Sequence, residues 1–273
     1  MIPSEPRRPR TADLLRAAAI IWRNNWKYAL IIAGLFIFPP MLISFFVPEH
    51  FYAAFLSLQN KMLDMLTTGN MDVFLNAPEY GDAMIYSLLT SGIPMLFLPL
   101  ADGAYTHIAL LGVQGKAVTL SGILEVSLQR FGKYLVSTLV LVLLLIPASF
   151  LFFIPALVLG VYFAFFANAV ALSGAFGFGA LKLSRDAVRG RWFQAFGFLL
   201  VLGLLGQIGQ LVLSFMIGMT GLSSIPLVGT ALYAAGSSLL GVLSIAQALW
   251  FFDRLNRLTA DSPADDTSEA DEK

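Results

Sequence analysis

Apolar positions run in long blocks separated by short polar segments, and the length of each block decides which element it can form. A helix rises about 1.5 Å per residue and a hydrocarbon core is about 30 Å thick, so roughly 20 apolar residues cross once. Tyr28 to Pro48 carries no Asp, Glu, Lys or Arg over 21 residues and predicts one crossing. Ala83 to Gly115 predicts a second, interrupted only by Asp102 and His107. Tyr134 to Leu181 is 48 residues without a charge, two crossings joined near Ile154-Pro155. Trp192 to Phe252 is 61 such residues, two more crossings with Thr220 to Pro226 as the turn. The pattern predicts an all-α integral membrane protein with six transmembrane helices over about 28–47, 85–112, 134–153, 155–177, 192–219 and 225–252. These form one membrane domain over 1–259, and the small, acidic residues 260–273 predict a disordered tail.

Ahead of each pair of spans lies a basic amphipathic segment: Leu14 to Tyr28, Leu124 to Tyr134 and Leu181 to Phe193. On a helix Arg16, Arg23 and Lys27 share one face, opposite Leu14, Leu15, Ala18, Ile21 and Trp22. Glu125, Gln129 and Lys133 oppose Leu124, Leu128 and Phe131 in the second, and Lys182, Arg185 and Arg189 form the polar stripe of the third. Such helices are expected along the membrane interface, apolar face in acyl chains and cations toward anionic headgroups, with Trp22, Trp26 and Trp192 as interfacial anchors. Helix plus hairpin recurring three times in one orientation predicts parallel repeats, a threefold pseudo-symmetric bundle of three helix-plus-hairpin units. Between the first two spans, Phe51, Phe55, Leu58, Met62, Met65 and Leu66 at helical spacing predict one further amphipathic helix, with Gln59, Asn60, Lys61 and Asp64 on its polar side.

Composition sharpens this picture by exclusion. The chain of 273 residues is 58% hydrophobic and 12% charged with zero formal net charge, which excludes both a disordered chain and a basic nucleic-acid-binding surface. Charge also orients it. Sixteen of the 17 Lys and Arg fall on the side of the termini and only Lys61 on the other, while Glu49, Asp64, Asp72, Glu79 and Asp82 occupy the loop opposite. The bias places both termini in the cytoplasm. The first apolar run is long, contains Pro39-Pro40 and lacks a small-residue cleavage site, so it is expected to be a retained span rather than a signal peptide.

Candidate chemistry is sparse. Without Cys and with two His there is no thiolate metal site, and no cofactor or metal is expected. Asp102 is the one carboxylate inside a predicted span, beyond Pro94 and Pro99, with His107 following. Five positions apart on an ideal helix is about 140°, so an Asp102–His107 relay would need a distorted helix. The plainer expectation is a carboxylate near headgroup level capped by an amide, hydroxyl or Arg. Asn168, Gln207, Gln210 and Gln247 are expected to hydrogen-bond between helices, and Gly203, Gly206 and Gly209 to permit close approach. Gly174, Gly177 and Gly179 read as a helix terminus, since no Lys-Ser/Thr pair completes a phosphate loop. Neither paired carboxylates nor a nucleophile with its base is present in the spans, so an enzyme is disfavoured.

From Thr11 to Thr259 the chain resembles the six-span membrane-domain family fused to some glycerophosphoryl diester phosphodiesterases, and its stand-alone bacterial relatives. The resemblance rests on Arg23 to Tyr28 (RNNWKY), Pro99 to Ala104 (PLADGA), Ile154-Pro155, Ala180 to Gly197 (ALKLSRDAVRGRWFQAFG) and Phe252 to Leu255 (FDRL). It implies a bacterial inner-membrane location and no phosphodiesterase activity, because catalysis in the fused proteins belongs to a separate soluble domain. Two function classes follow. One is a non-catalytic scaffold or accessory protein that engages membrane lipids, or a membrane or cytoplasmic protein partner, through Arg16, Arg23, Lys27, Arg130, Lys133, Arg185, Arg189, Arg191 and Trp192. The other is a small-solute transporter that couples through Asp102, with His107 as its neighbour. The sequence favours the first.

Overall fold

The computed structural model describes residues 9–69, 71–72, 76–151, 153–221 and 225–260; the expected tail lies outside them. Among the described residues the regular structure is helical throughout. The chain enters through α1 (Thr11–Asn24), turns at Asn25, and continues as α2 (Trp26–Leu42) at 86° to α1. Asn25 makes the corner: its Nδ2 donates to the Ile21 carbonyl at 2.9 Å and its backbone N–H to that of Trp22. The remaining elements are α3 (Glu49–Thr68), α4 (Tyr80–Val113), α5 (Leu120–Leu128), α6 (Phe131–Leu151), α7 (Phe153–Phe163), α8 (Phe166–Ser173), α9 (Phe178–Val188), α10 (Trp192–Met219), α11 (Pro226–Ser237) and α12 (Gly241–Ala260). Among the described residues, five stretches are long and apolar enough to cross a membrane: Tyr80–Val113, Phe131–Ala148, Ile154–Ser173, Trp192–Met219 and Leu227–Leu258. The bent pair α1–α2 passes the same test of length and composition only when its two arms are taken together.

Two of these helices carry a π turn, Ala33–Ile37 in α2 and Leu88–Gly92 in α4. Both lie just ahead of proline, Pro39-Pro40 and Pro94. Proline has no N–H for the preceding turn and its ring crowds the carbonyl four residues back, and a widened turn relieves both.

Packing contacts recur in cyclic order. α1 lies on α12, α5 on α4, and α9 on α8 and α7. In the same rotation α2 packs against α11, α6 against α4, and α10 against α7. The inner helices α4, α8 and α12 supply the core, including Ala104, Ile108, Ala169, Val170, Ile245 and Ala248. Ser184 of α9 plugs the break between α7 and α8: it accepts from Phe165 N–H at 3.1 Å and donates to the Tyr162 carbonyl at 2.8 Å. Gln247 donates to the Ala164 carbonyl in that break at 2.8 Å. Trp250 and Phe251 stack on the Phe165 ring.

Several expectations shift. The fourth apolar helix ends at Ser173 rather than 177, because Gly174 adopts φ +68° and caps it. The second basic segment is not one helix; it straddles the end of α5 and the start of α6. Lys61 lies on the inner side of α3, where its Nζ meets Glu79 Oε2 at 2.7 Å and Ser57 donates to Oε1, fastening α3 to the start of α4. Gln207 is exposed on α10, and at Gly203 no neighbour comes close, whereas Gly206 and Gly209 face Leu243 and Leu240.

Candidate functional site

One face of α4 repeats Ser91, Met95, Leu98, Asp102 and Tyr105 at spacings of three and four, and the corresponding face of α11 and α12 repeats Tyr233, Ser237, Gly241 and Ser244. The two faces meet beside α2 and α10 around a cavity of about 360 Å³. Its walls are apolar, with Phe36, Ile37, Pro40 and Met41 from α2 and Pro94, Met95, Leu98, Ala101 and Leu240 completing them. Its polar groups are Asp102, Tyr105, Gln210, Tyr233 and the hydroxyls of Ser91, Ser237 and Ser244. Among the described residues, no Lys, Arg or His lines it.

Several of these groups are held by neighbouring helices. Ser244 Oγ donates to Asp102 Oδ1 at 2.8 Å, which ties α12 to α4. Tyr233 donates its hydroxyl to Gln210 Oε1, tying α11 to α10. Tyr105 is buried, its hydroxyl 3.5 Å from the Ala29 carbonyl. A side chain on Gly241 would overlap the Tyr105 ring, so glycine there lets α12 close on α4. Behind Asp102, Thr106 Oγ1 donates to the Asp102 carbonyl at 2.7 Å and accepts from Asn168 Nδ2 at 2.9 Å, anchoring this turn to α8. Gly103 sits against the Tyr134 hydroxyl, where a Cβ would overlap it. Asp102 therefore stands on a fixed backbone, capped by a hydroxyl as expected, yet facing a cavity.

Asp102 and His107 are not brought together. Asp102 faces α12, while His107 is half-buried beside Gly122 of α5. The basic residues divide into two groups. Arg16, Arg23, Lys27, Arg185 and Arg189 are exposed, as is Phe193 at 82%, and Arg191 is half-buried. Arg130 and Lys133 instead turn inward. Arg130 donates to the Val170 and Ala171 carbonyls at 2.8 and 2.5 Å and Lys133 to the Gly174 carbonyl at 2.9 Å, satisfying the C-terminal end of α8. Trp192 Nε1 points to the Val158 carbonyl at 3.4 Å, and Trp22 Nε1 to that of Ser238 at 2.9 Å. Arg254, buried in α12, donates to the Ala187 carbonyl.

Ser244, Tyr233, Tyr105, Ser237 and Ser91 were missed by the sequence reading, and Gln210 was read only as an interhelical bond. A small hydroxyl in an apolar run leaves no mark on hydropathy. The signal available was the spacing, since weakly polar residues recur on one face of 91–105 and of 233–244.

A family model described as a domain of unknown function (DUF7847) matches residues 85–255, which takes in every cavity-lining helix except α2. No curated protein and no solved structure matches the chain.

Proposed function

The chain belongs to the family described as a domain of unknown function (DUF7847), and since that description assigns no activity we propose a function from the cavity itself: a non-catalytic six-span membrane carrier that takes a small solute into the space around Asp102. The observation that carries it is an acidic side chain at the wall of an apolar cavity within the helical bundle, bonded there by the Ser244 hydroxyl. Ionisable groups inside spans are costly and mark substrate or ion paths, and ligand sites in bundles are apolar with a few placed polar groups. In this reading α1–α2, with α2 as the crossing, joins the five longer apolar helices as three helix-plus-hairpin units. The cyclic contacts support that grouping. Both termini face the cytoplasm of a bacterial inner-membrane protein, in keeping with the Lys/Arg bias and the resemblance to phosphodiesterase membrane domains.

Lipid contact keeps a narrower place. Exposed Arg16, Arg23, Lys27, Arg185 and Arg189 with Phe193 suit anchoring to anionic headgroups, whereas Arg130 and Lys133 are engaged with α8.

The chain has no cysteine, so a single introduced thiol reports on its own surroundings. Ser237→Cys in reconstituted vesicles is expected to react with a small, water-soluble methanethiosulfonate reagent, and Gly160→Cys in the apolar groove between α7 and α10 only with a membrane-permeant maleimide. A Ser237→Cys thiol inert to aqueous reagent from both sides would overturn the reading.

A further inference from the structure

The charge inventory of the cavity says what kind of solute fits. Among the residues lining it, Asp102 is the one acid, and no basic side chain reaches in from α2, α4, α10, α11 or α12. The other ionisable groups facing it are the phenols of Tyr105 from α4 and Tyr233 from α11; behind α4, Tyr134 of α6 lies against Gly103. Ser244 occupies Asp102 Oδ1, and Oδ2 receives no hydrogen bond from a described side chain. A carboxylate among apolar walls is stable only when neutralised, either by its own proton or by a cation brought alongside. The remaining surfaces select which cation. Phe36, Pro40, Met95 and Leu98 offer hydrocarbon contact, and Tyr105 and Tyr233 add aromatic side chains, a class that accommodates positive charge, to the lining. A strongly hydrated metal ion would need several oxygen ligands, and no group of three or more His, Asp or Glu exists among the described residues. At about 360 Å³ the space lies at the small end of ligand pockets, which run from roughly 300 to 1,000 Å³.

Resting on the carrier reading above, we propose that the cavity binds a small organic ammonium ion with an apolar body, its charge against Asp102, in exchange for one proton. The carboxylic acid O–H breaks, the proton leaves to water, and the arriving ammonium takes its place beside the carboxylate. Either occupant leaves the cavity neutral, so each turnover exchanges one positive charge for another.

The test uses the full chain carrying Ser237→Cys in vesicles, with benzyltrimethylammonium as probe and N,N-dimethylbenzamide and benzenesulfonate as neutral and anionic counterparts of similar size. Benzyltrimethylammonium near ten times its Kd is expected to slow thiol labelling about tenfold, and the other two to leave it unchanged. Protection should weaken about tenfold per pH unit once Asp102 holds its proton. Calorimetry in buffers of differing ionisation enthalpy, at a pH where the free carboxyl is protonated, should show one proton released per cation bound. Adding Asp102→Asn should remove the cation's protection while the thiol still reacts. Protection by the amide or the sulfonate, by none of the three, or undiminished in Asp102→Asn would overturn the cation assignment and leave the carrier reading standing. A thiol that never labels overturns both.

Discussion

Of the hollows between the helices, two that involve α10 differ in chemistry more than in build. One, between α2, α4, α10, α11 and α12, holds Asp102, Gln210, two tyrosines and three serines. The other, between α6, α7 and α10, is lined by Leu145, Ala156, Leu157, Gly160, Val161, Phe196, Leu199 and Leu200, with no polar side chain. Both lie where helices far apart in the chain meet, α2 and α4 with α10, α11 and α12 in the first, α6 and α7 with α10 in the second. A helical bundle in lipid is therefore content with a hydrocarbon lining at such a junction. The polar lining near Asp102 is an addition that stability does not require, and this is the argument for assigning it to binding.

Exchanging the two linings gives the largest expected effect. Val161→Asp places an acid in the apolar groove with no hydroxyl arranged to meet it, and should cost about 3 kcal/mol, read as a lowered melting temperature in nanodiscs. The reciprocal change, Asp102→Leu together with Ser244→Ala, should alter stability by less than about 1 kcal/mol, because a buried acid and its polar partner are often no better than packed hydrocarbon. A fall as large as that of Val161→Asp would make Asp102 a structural residue. Next comes Arg130→Met, which strips two carbonyls at the end of α8 of a charged donor and should cost about 2 kcal/mol; an unchanged melting temperature would return Arg130 to the lipid interface.

How much of this contrast was legible beforehand depends on how strongly each residue departs from its surroundings. The long apolar helices were visible because a charge-free run of 48 or 61 residues can hardly be anything else. Asp102 stood out for the same reason, as the lone acid in such a run. Its partner did not: Ser244 lies 142 residues away and is one of several serines in the apolar helices. The inward turn of Arg130 and Lys133 was hidden too, since a basic residue beside an aromatic reads as an interfacial anchor unless one knows that α8 ends within reach. Ser184 stood inside the motif quoted from Ala180 to Gly197, but nothing local announces that the chain breaks at Ala164 and needs its hydroxyl.

Smaller effects sharpen the contrast further. Ser244→Ala removes the hydroxyl that bonds Asp102 and should cost about 1.5 kcal/mol, with cation protection weakened but not abolished; no change in either would detach Ser244 from the site. The smallest effect lies outside the spans. The Lys61 hydrogen bond holds the Glu79 carboxyl below its usual range, aided by a backbone bond and by Ser57. Because the folded value is lowered, the tie between α3 and α4 is complete above the ordinary carboxylate range and is lost as pH falls through the lowered value. Protection of α3 amides, taken relative to the intrinsic exchange rate at each pH, should thus fall on acidification in the wild type and not in Glu79→Gln. An equal fall in both would assign the loss to other carboxylates.

The π turn at Leu88–Gly92 sets an angular offset along α4. On its N-terminal side Tyr86 faces Tyr52 and Phe55 of α3, and on its C-terminal side Asp102 faces Ser244. One residue of an α-helix corresponds to about 100° of rotation, so the extra residue held in that turn fixes the azimuth between the docked face and the cavity face. Deleting Thr90 would close the bulge and leave both faces where they are, whereas a turn tightened to ordinary α geometry with Thr90 retained would swing the carboxylate away from the cavity while α3 stays seated. The widened turn thus acts as a rotary setting that keeps the two faces in register.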